Sequence, residues 1–394
     1  MIRRLPIALA ALAGLFASGC MSFHREAPKP GLTIIGLRAV TLPCHVLDNV
    51  IVVEAKWDKF GPYRFVIDTG SSVTLVSPEL AGRYASDSPP AAGVPPVRVR
   101  SAEGGFALLR PVTLKKIQLG GARFEFVPAL VYDCADVSAQ FDVKIDGILG
   151  FPLFRSVVLT LDYPHERVVL RSRIPDEGLP GEAILFDNAD KTPLIPVRLA
   201  DRQFAALIDS GSSAAIAINP AGIAPKFQYG PVDGPAVSTL TGDRPSKVGR
   251  LADVVRLGSF DIPRPVAEIT DELSSLGGGV LSHFTVTFDQ EDDEVFFQHE
   301  SSDSLAVPPL RGTGLSFRKT PAYWKVAGAM RGSPAAAAGV GAGDLVSRID
   351  GEPVAGWDLP RYRRLVSTAD RIDFTFIEGA QETTKSIAVV DLVP

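Results

Sequence analysis

The sequence predicts a mainly β protein built of two similar lobes, followed by a small α+β domain, and three observations carry that expectation. The pentapeptide Asp68-Thr69-Gly70-Ser71-Ser72 returns nearly unchanged as Asp209-Ser210-Gly211-Ser212-Ser213. Each copy follows an apolar β-type run and enters another, so each reads as strand, tight turn, strand. Finally, a polar stretch bearing Ser301-Ser302-Asp303-Ser304 and Pro308-Pro309 separates the repeated part from a C-terminal segment with its own alternation of strand and helix signals.

A chain of 394 residues is too long for one typical core and divides into two or three domains. A hydrophobic share of 46% with 22% charged residues belongs to a folded chain rather than a disordered one. The net charge of -5 offers no basic footprint, so nucleic acid is not an expected partner.

Residues 1–20 combine a basic start, Arg3-Arg4, with a short apolar run ending Ala17-Ser18-Gly19-Cys20. This is a secretory signal, too short to span a bilayer as a helix. It resembles a bacterial lipoprotein signal, in which cleavage ahead of Cys20 leaves that thiol lipid-modified, although Ala17 stands where Leu is more usual. The resemblance implies a membrane-anchored lipoprotein facing the periplasm; a plain signal peptide with an incidental cysteine is the other reading. Residues 21–31 read as a tether. With Cys20 lipidated, Cys44 and Cys134 remain as a disulfide or as two separate buried thiols, and the sequence leaves both open.

From 32 to 175 strand signals follow one another: Asn49 to Ala55, Tyr63 to Ile67, Val73 to Val76, Val97 to Arg100, Phe124 to Val131 and Val157 to Leu161, separated by turn clusters such as Gly120-Gly121. Residues 176–298 repeat the pattern. Ile117-Gln118-Leu119-Gly120 is echoed by Val255-Arg256-Leu257-Gly258, Gly147-Ile148-Leu149-Gly150 by Gly279-Val280-Leu281-Ser282, and Val158 to Asp162 with Val168 by Thr285 to Asp289 with Val295. Residues 299–310 form the linker. In 311–394 the signals give strands at Leu315 to Arg318, Trp324 to Ala327, Asp344 to Ile349, Ile372 to Ile377 and Ser386 to Val390, with helices at Pro334 to Ala338 and Leu359 to Ser367.

The chemistry rests on Asp68 and Asp209. An aspartate at the end of a buried strand needs hydrogen bonds to its carboxylate. The flanking Thr69, Gly70 and Ser71, and Ser210, Gly211 and Ser212, supply donors that orient it. Two carboxylates about 3 Å apart cannot both ionise freely; they share a proton and titrate as a pair. Such a dyad can take a proton from water and give one to a carbonyl oxygen.

The paired turns, with Ile148-Leu149-Gly150 and Val280-Leu281-Ser282 downstream, resemble the aspartic proteases of the pepsin and retropepsin superfamily over residues 32–298. The resemblance implies a bilobal acid-protease β fold, Asp68 and Asp209 as catalytic residues, a peptide or protein substrate, and a hairpin flap over the cleft. Gly104, Gly105 and Phe106 are the best flap candidates. Ser282 departs from the family pattern, where Gly is expected, and the flap candidate lacks the Tyr of pepsin-like enzymes. No cofactor is implied. A non-catalytic peptide-binding or scaffolding lipoprotein on the same fold is the alternative.

In the C-terminal segment, Gly312 to Phe317, Gly332 to Val340, Gly343-Asp344-Leu345-Val346 and Ile349-Asp350-Gly351 resemble a bacterial PDZ domain. That resemblance implies that Gly314, Leu315, Ser316 and Phe317 form a loop for the C-terminal carboxylate of a peptide, beside a strand edge open to a further strand. The same fold used only for packing is the other reading. The Gly339 to Gly343 run lacks the Lys-Ser/Thr ending of a phosphate loop, and the five histidines show no metal-ligand spacing.

Overall fold

The computed structural model describes residues 31–86, 95–100, 105–175, 178–239, 242–301, 304–320 and 322–394. The two lobes meet in one continuous sheet. From one edge it runs Glu182–Leu185, Glu294–Gln298, Thr285–Asp289, Val158–Asp162, Arg167–Arg171, Val40–Leu47, three of these strands from each lobe. At the middle Thr160 pairs with Thr287, their hydroxyls 3.0 Å apart. These two threonines are counterparts in the repeat, so the pseudo-twofold axis passes between them. Alternation along the strands explains the burial. In Val158–Asp162 and Thr285–Asp289 the alternate residues Leu159, Leu161, Val286 and Phe288 turn into a core shared by both lobes.

Each lobe then repeats one device. The strand Phe60–Asp68 runs parallel to Gly147–Gly150, placing Asp68 opposite Gly150, while Thr74–Val76 pairs with the other edge of Gly147–Gly150. Likewise Arg202–Asp209 runs parallel to Ser274–Gly277, with Asp209 opposite Gly277, and Ile216–Ile218 lies on the far side. The strand carrying the aspartate and the strand leaving its turn thus clasp a third between them.

This register corrects one expected echo. The counterpart of Gly147–Gly150 is Ser274–Gly277, not Gly279 to Ser282. Glycine is required at both ends: a Cβ on Gly150 would lie 2.4 Å from the Val73 carbonyl oxygen, and one on Gly277 2.4 Å from that of Ala214. Ser282 caps the short helix Gly278–Leu281, the equivalent of the 3-10 turn Phe151–Phe154, and the loop beside Asp209 keeps its glycine. The apolar Val-Leu pair one turn further on imitates the motif, and only strand pairing separates the two.

The second lobe also contains a long hairpin, Phe227–Thr239 with Gly242–Leu251, which sequence reasoning missed. Gly230, Pro231, Gly234, Pro235 and Pro245 hide it, because Gly and Pro are depleted in strands. The pairing absorbs them through register shifts between Phe227 and Tyr229, Tyr229 and Val232, and Asp233 and Ala236. Cys44 and Cys134 are both buried and free, so the disulfide alternative falls away. Burial, first, pushes each thiol up to about 12.

The C-terminal domain is a six-stranded sheet in which Leu315–Lys319 is the terminal strand, flanked by the helix Leu359–Thr368. Asp358 caps that helix by accepting from the Arg361 amide at 2.6 Å. Its core gathers Trp324, Phe374, Phe376 and Tyr362, with Phe317 against three of these rings. Leu305 and Val307, within 299–310, are buried in the core of the two lobes, and Leu310–Gly312 pairs with a final strand, Val390–Val393.

Candidate active site

Asp68 and Asp209 end equivalent strands and face each other across the lobe junction. The turns are alike: the Ser71 amide donates to the Asp68 carbonyl and the Ser212 amide to that of Asp209, both at 3.3 Å. They also cross at close range. A Cβ on Gly70 would lie 2.7 Å from Cγ of Asp209, and one on Gly211 2.5 Å from Cγ of Asp68. Only glycine allows each backbone to reach so near the opposite carboxyl.

Thr69 and Ser210, both fully buried, lock the loops together. The Thr69 hydroxyl donates to the Ile208 carbonyl at 2.6 Å and accepts from the Ser210 amide at 3.0 Å. In mirror fashion the Ser210 hydroxyl donates to the Ile67 carbonyl at 2.8 Å and accepts from the Thr69 amide at 3.0 Å. Each side chain therefore bonds the backbone next to the opposite aspartate. Ser71 and Ser212 act locally: the Ser71 hydroxyl donates to the Val73 carbonyl, and Ser212 Oγ accepts from the Ala214 amide. The expected hydroxyl donors thus brace loops, and backbone amides do the direct work: Gly211 donates to Asp209 Oδ1 at 3.0 Å, Gly70 and Ser71 to Asp68.

Burial, and then the charge of Asp209, hold the Asp68 carboxyl well above the ordinary carboxylate range, against the Gly70 and Ser71 amides that pull it down. Asp68 Oδ1 is buried and has no hydrogen-bond partner among the described residues. Within electrostatic reach of the pair lies Tyr163, which sequence reasoning also missed. Its buried hydroxyl has no partner among the described residues, and burial followed by the nearby Asp209 charge raises its pKa, keeping it neutral. A cavity of about 950 Å³ shares Ser72, Val73 and Thr74 with the first turn but includes neither aspartate.

Val97–Arg100 pairs with Phe106–Leu119 as a hairpin that contains the expected flap segment. Phe106 begins its returning arm with Gly105 just before it, while Gly104 lies outside the described residues. The Arg98 guanidinium stacks 3.7 Å from the Phe106 ring centre. Arg100 reaches across to Glu272 of the second lobe at 2.6 Å, so the hairpin is tied to the far side of the junction.

In the C-terminal domain Gly314 has φ +88°, and a Cβ there would strike Ser333 at 2.2 Å. Gly314 and Leu315 line a cavity of about 610 Å³ together with Arg363 and Val366 from the flanking helix. Ser316 and Phe317 do not line it. The Ser316 hydroxyl donates to the Gly328 carbonyl, and Phe317 belongs to the aromatic core. Arg363 and Val366 escaped sequence reasoning because their helix is distant in sequence from the glycine loop.

Comparison with protein families matches residues 53–153 to an aspartyl protease model and residues 325–375 to a PDZ domain model. The first match covers the turn of Asp68; Asp209 joins it through the internal repeat and the strand register. No curated protein matches the chain.

Proposed function

We propose that this protein is an aspartic endopeptidase in which Asp68 and Asp209 activate one water molecule against a peptide bond. The observation that carries the reading is the mutual approach of the two turns, each glycine lying against the opposite carboxyl. The raised pKa of Asp68 supports a division of labour, with one carboxyl protonated and the other ionised. The ionised member takes a proton from water as its oxygen attacks the carbonyl carbon, while the protonated member gives its proton to the carbonyl oxygen. A tetrahedral diol forms without a covalent enzyme intermediate. Its collapse breaks the C–N bond as the dyad's protonated member gives its proton to the leaving nitrogen and the ionised member takes one from a diol hydroxyl, so the dyad again holds one shared proton.

The substrate is an extended peptide under the Val97–Arg100 hairpin, and the PDZ domain recruits peptides or restrains access. The signal-like start and Cys20 support a lipid-anchored protein working outside the cytoplasm. The test is cleavage of casein from acidic to neutral pH by the parent, Asp68→Asn and Asp209→Asn. Only the parent should cut; equal cutting by all three removes the reading.

A further inference from the structure

The groove of the C-terminal domain does not face solvent freely; it faces the first lobe. The lobe-one helix Ala135–Phe141 packs against both the terminal strand Leu315–Lys319 and the helix Leu359–Thr368, the two walls between which a peptide strand would lie. At that end Lys319 Nζ pairs with Asp142 at 2.5 Å, both side chains largely sheltered. At the glycine-loop end Asp48, on the turn between Val40–Leu47 and Val50–Trp57, lines the same cavity as Gly314 and Leu315 and pairs with Arg363 at 2.9 Å. A carboxylate of lobe one thus already sits on Arg363, which with Arg311 lines the cavity where a peptide's terminal carboxylate would lie.

The attachment to the second lobe differs in kind. There Met330 and Val393 bury themselves with Val248 of the long hairpin, and Val232, Leu310 and Leu392 pack around them. Apolar burial of this sort is durable, whereas partly exposed ion pairs are weakly held and separable.

We infer that the groove is held shut by its own protease unit. Asp48 on Arg363 and the Ala135–Phe141 helix occupy it, and a peptide with a free C-terminal carboxylate opens it by displacing both while the domain stays seated on the second lobe. This rests on the reading under Proposed function only for its consequence at the cleft. The displaced parts lead there directly. Val137 and Phe141 of the helix share a cluster with Val99 and Leu109 of the first-lobe hairpin. Asn49, next to Asp48, donates to the carbonyl of Ser213 in the second catalytic turn at 3.3 Å.

The experiment uses the full chain with Asp209→Asn, so that no probe is cut. The probe is a pool of fluorescein-labelled decapeptides ending in Leu or Val, beside the same pool with amidated C-termini. Asp48→Asn/Asp142→Asn is compared with the parent; both sites have positive φ, which Asn tolerates. Removing two internal competitors should tighten binding about three- to ten-fold, and amidation should abolish it in both forms. Peptide binding to the parent should also speed hydrogen exchange in residues 135–141. Equal affinities, no binding by either form, indifference to amidation, or unchanged exchange each overturns the inference. None of these readouts needs catalysis, so failure here leaves the protease reading standing, and failure of proteolysis leaves this one.

Discussion

Thr69→Val is the most informative single change, since it keeps the β-branched shape and removes only the hydroxyl. Two backbone groups lose their partners, the Ile208 carbonyl and the Ser210 amide, and both are next to the opposite aspartate. Thr69 and Ser210 are fully buried, so water cannot easily replace the missing bonds. Each orphaned buried group costs about 1–3 kcal/mol, hence about 2–6 kcal/mol for the two. The cost falls on the contact between lobes, because both bonds cross it. At 1.4 kcal/mol per decade, exchange of the amides in Phe60–Asp68 and Arg202–Asp209 should quicken by about thirty-fold or more when measured by hydrogen-exchange mass spectrometry. Turnover of casein should fall roughly ten- to a hundred-fold as the carboxyls lose their spacing. Ser71→Ala, whose hydroxyl bonds only within its own turn, serves as the comparison and should cost about 1 kcal/mol. Exchange in Thr69→Val less than about three-fold faster than in the parent, with undiminished turnover, would refute the idea that the two turns are held by these reciprocal bonds.

Gly211→Ala places a methyl 2.5 Å from Cγ of Asp68 and should lower activity at least about a hundred-fold, with the far-UV circular dichroism spectrum kept. Because the folded Asp68 carboxyl has a raised pKa, its contribution to stability is full below the ordinary carboxylate range and is lost as pH rises through the raised value. Asp68→Asn should therefore unfold at higher urea than the parent at neutral pH and at nearly the same urea in acid, and parental activity should decline as pH rises. Cys44 and Cys134 should resist alkylation until the chain unfolds, and reductant should not shift the unfolding midpoint, since both thiols are free and buried.

Particular residues separate what was legible from what was not. The repeat of Asp68 to Ser72 at Asp209 to Ser213 was visible because a strand, a glycine turn and a second strand leave a local imprint of residue types. The C-terminal domain was legible for the same reason: Gly314, Ser333-Pro334 and Gly343-Asp344 each satisfy a turn or cap within a few residues. The second-lobe hairpin was hidden by its prolines and glycines, whose strand pairing is imposed by the sheet they join. The echo at Gly279 to Ser282 misled, because its spacing copies the motif while the backbone pairing of Asp209 selects Gly277.

The amino-acid order alone determined that two aspartates stand on duplicated turns and that a separate domain follows. These are short-range facts, fixed by neighbours a few positions away. Only the tertiary structure decided that Thr69 and Ser210 exchange bonds across the junction, that Tyr163 lies within reach of the aspartates' charge, and that Asp48 closes on Arg363. Thr69 and Ile208 are 139 positions apart, Ser210 and Ile67 143, and contacts at such separation are set by how whole sheets and domains pack, for which a single chain of letters carries no local signal.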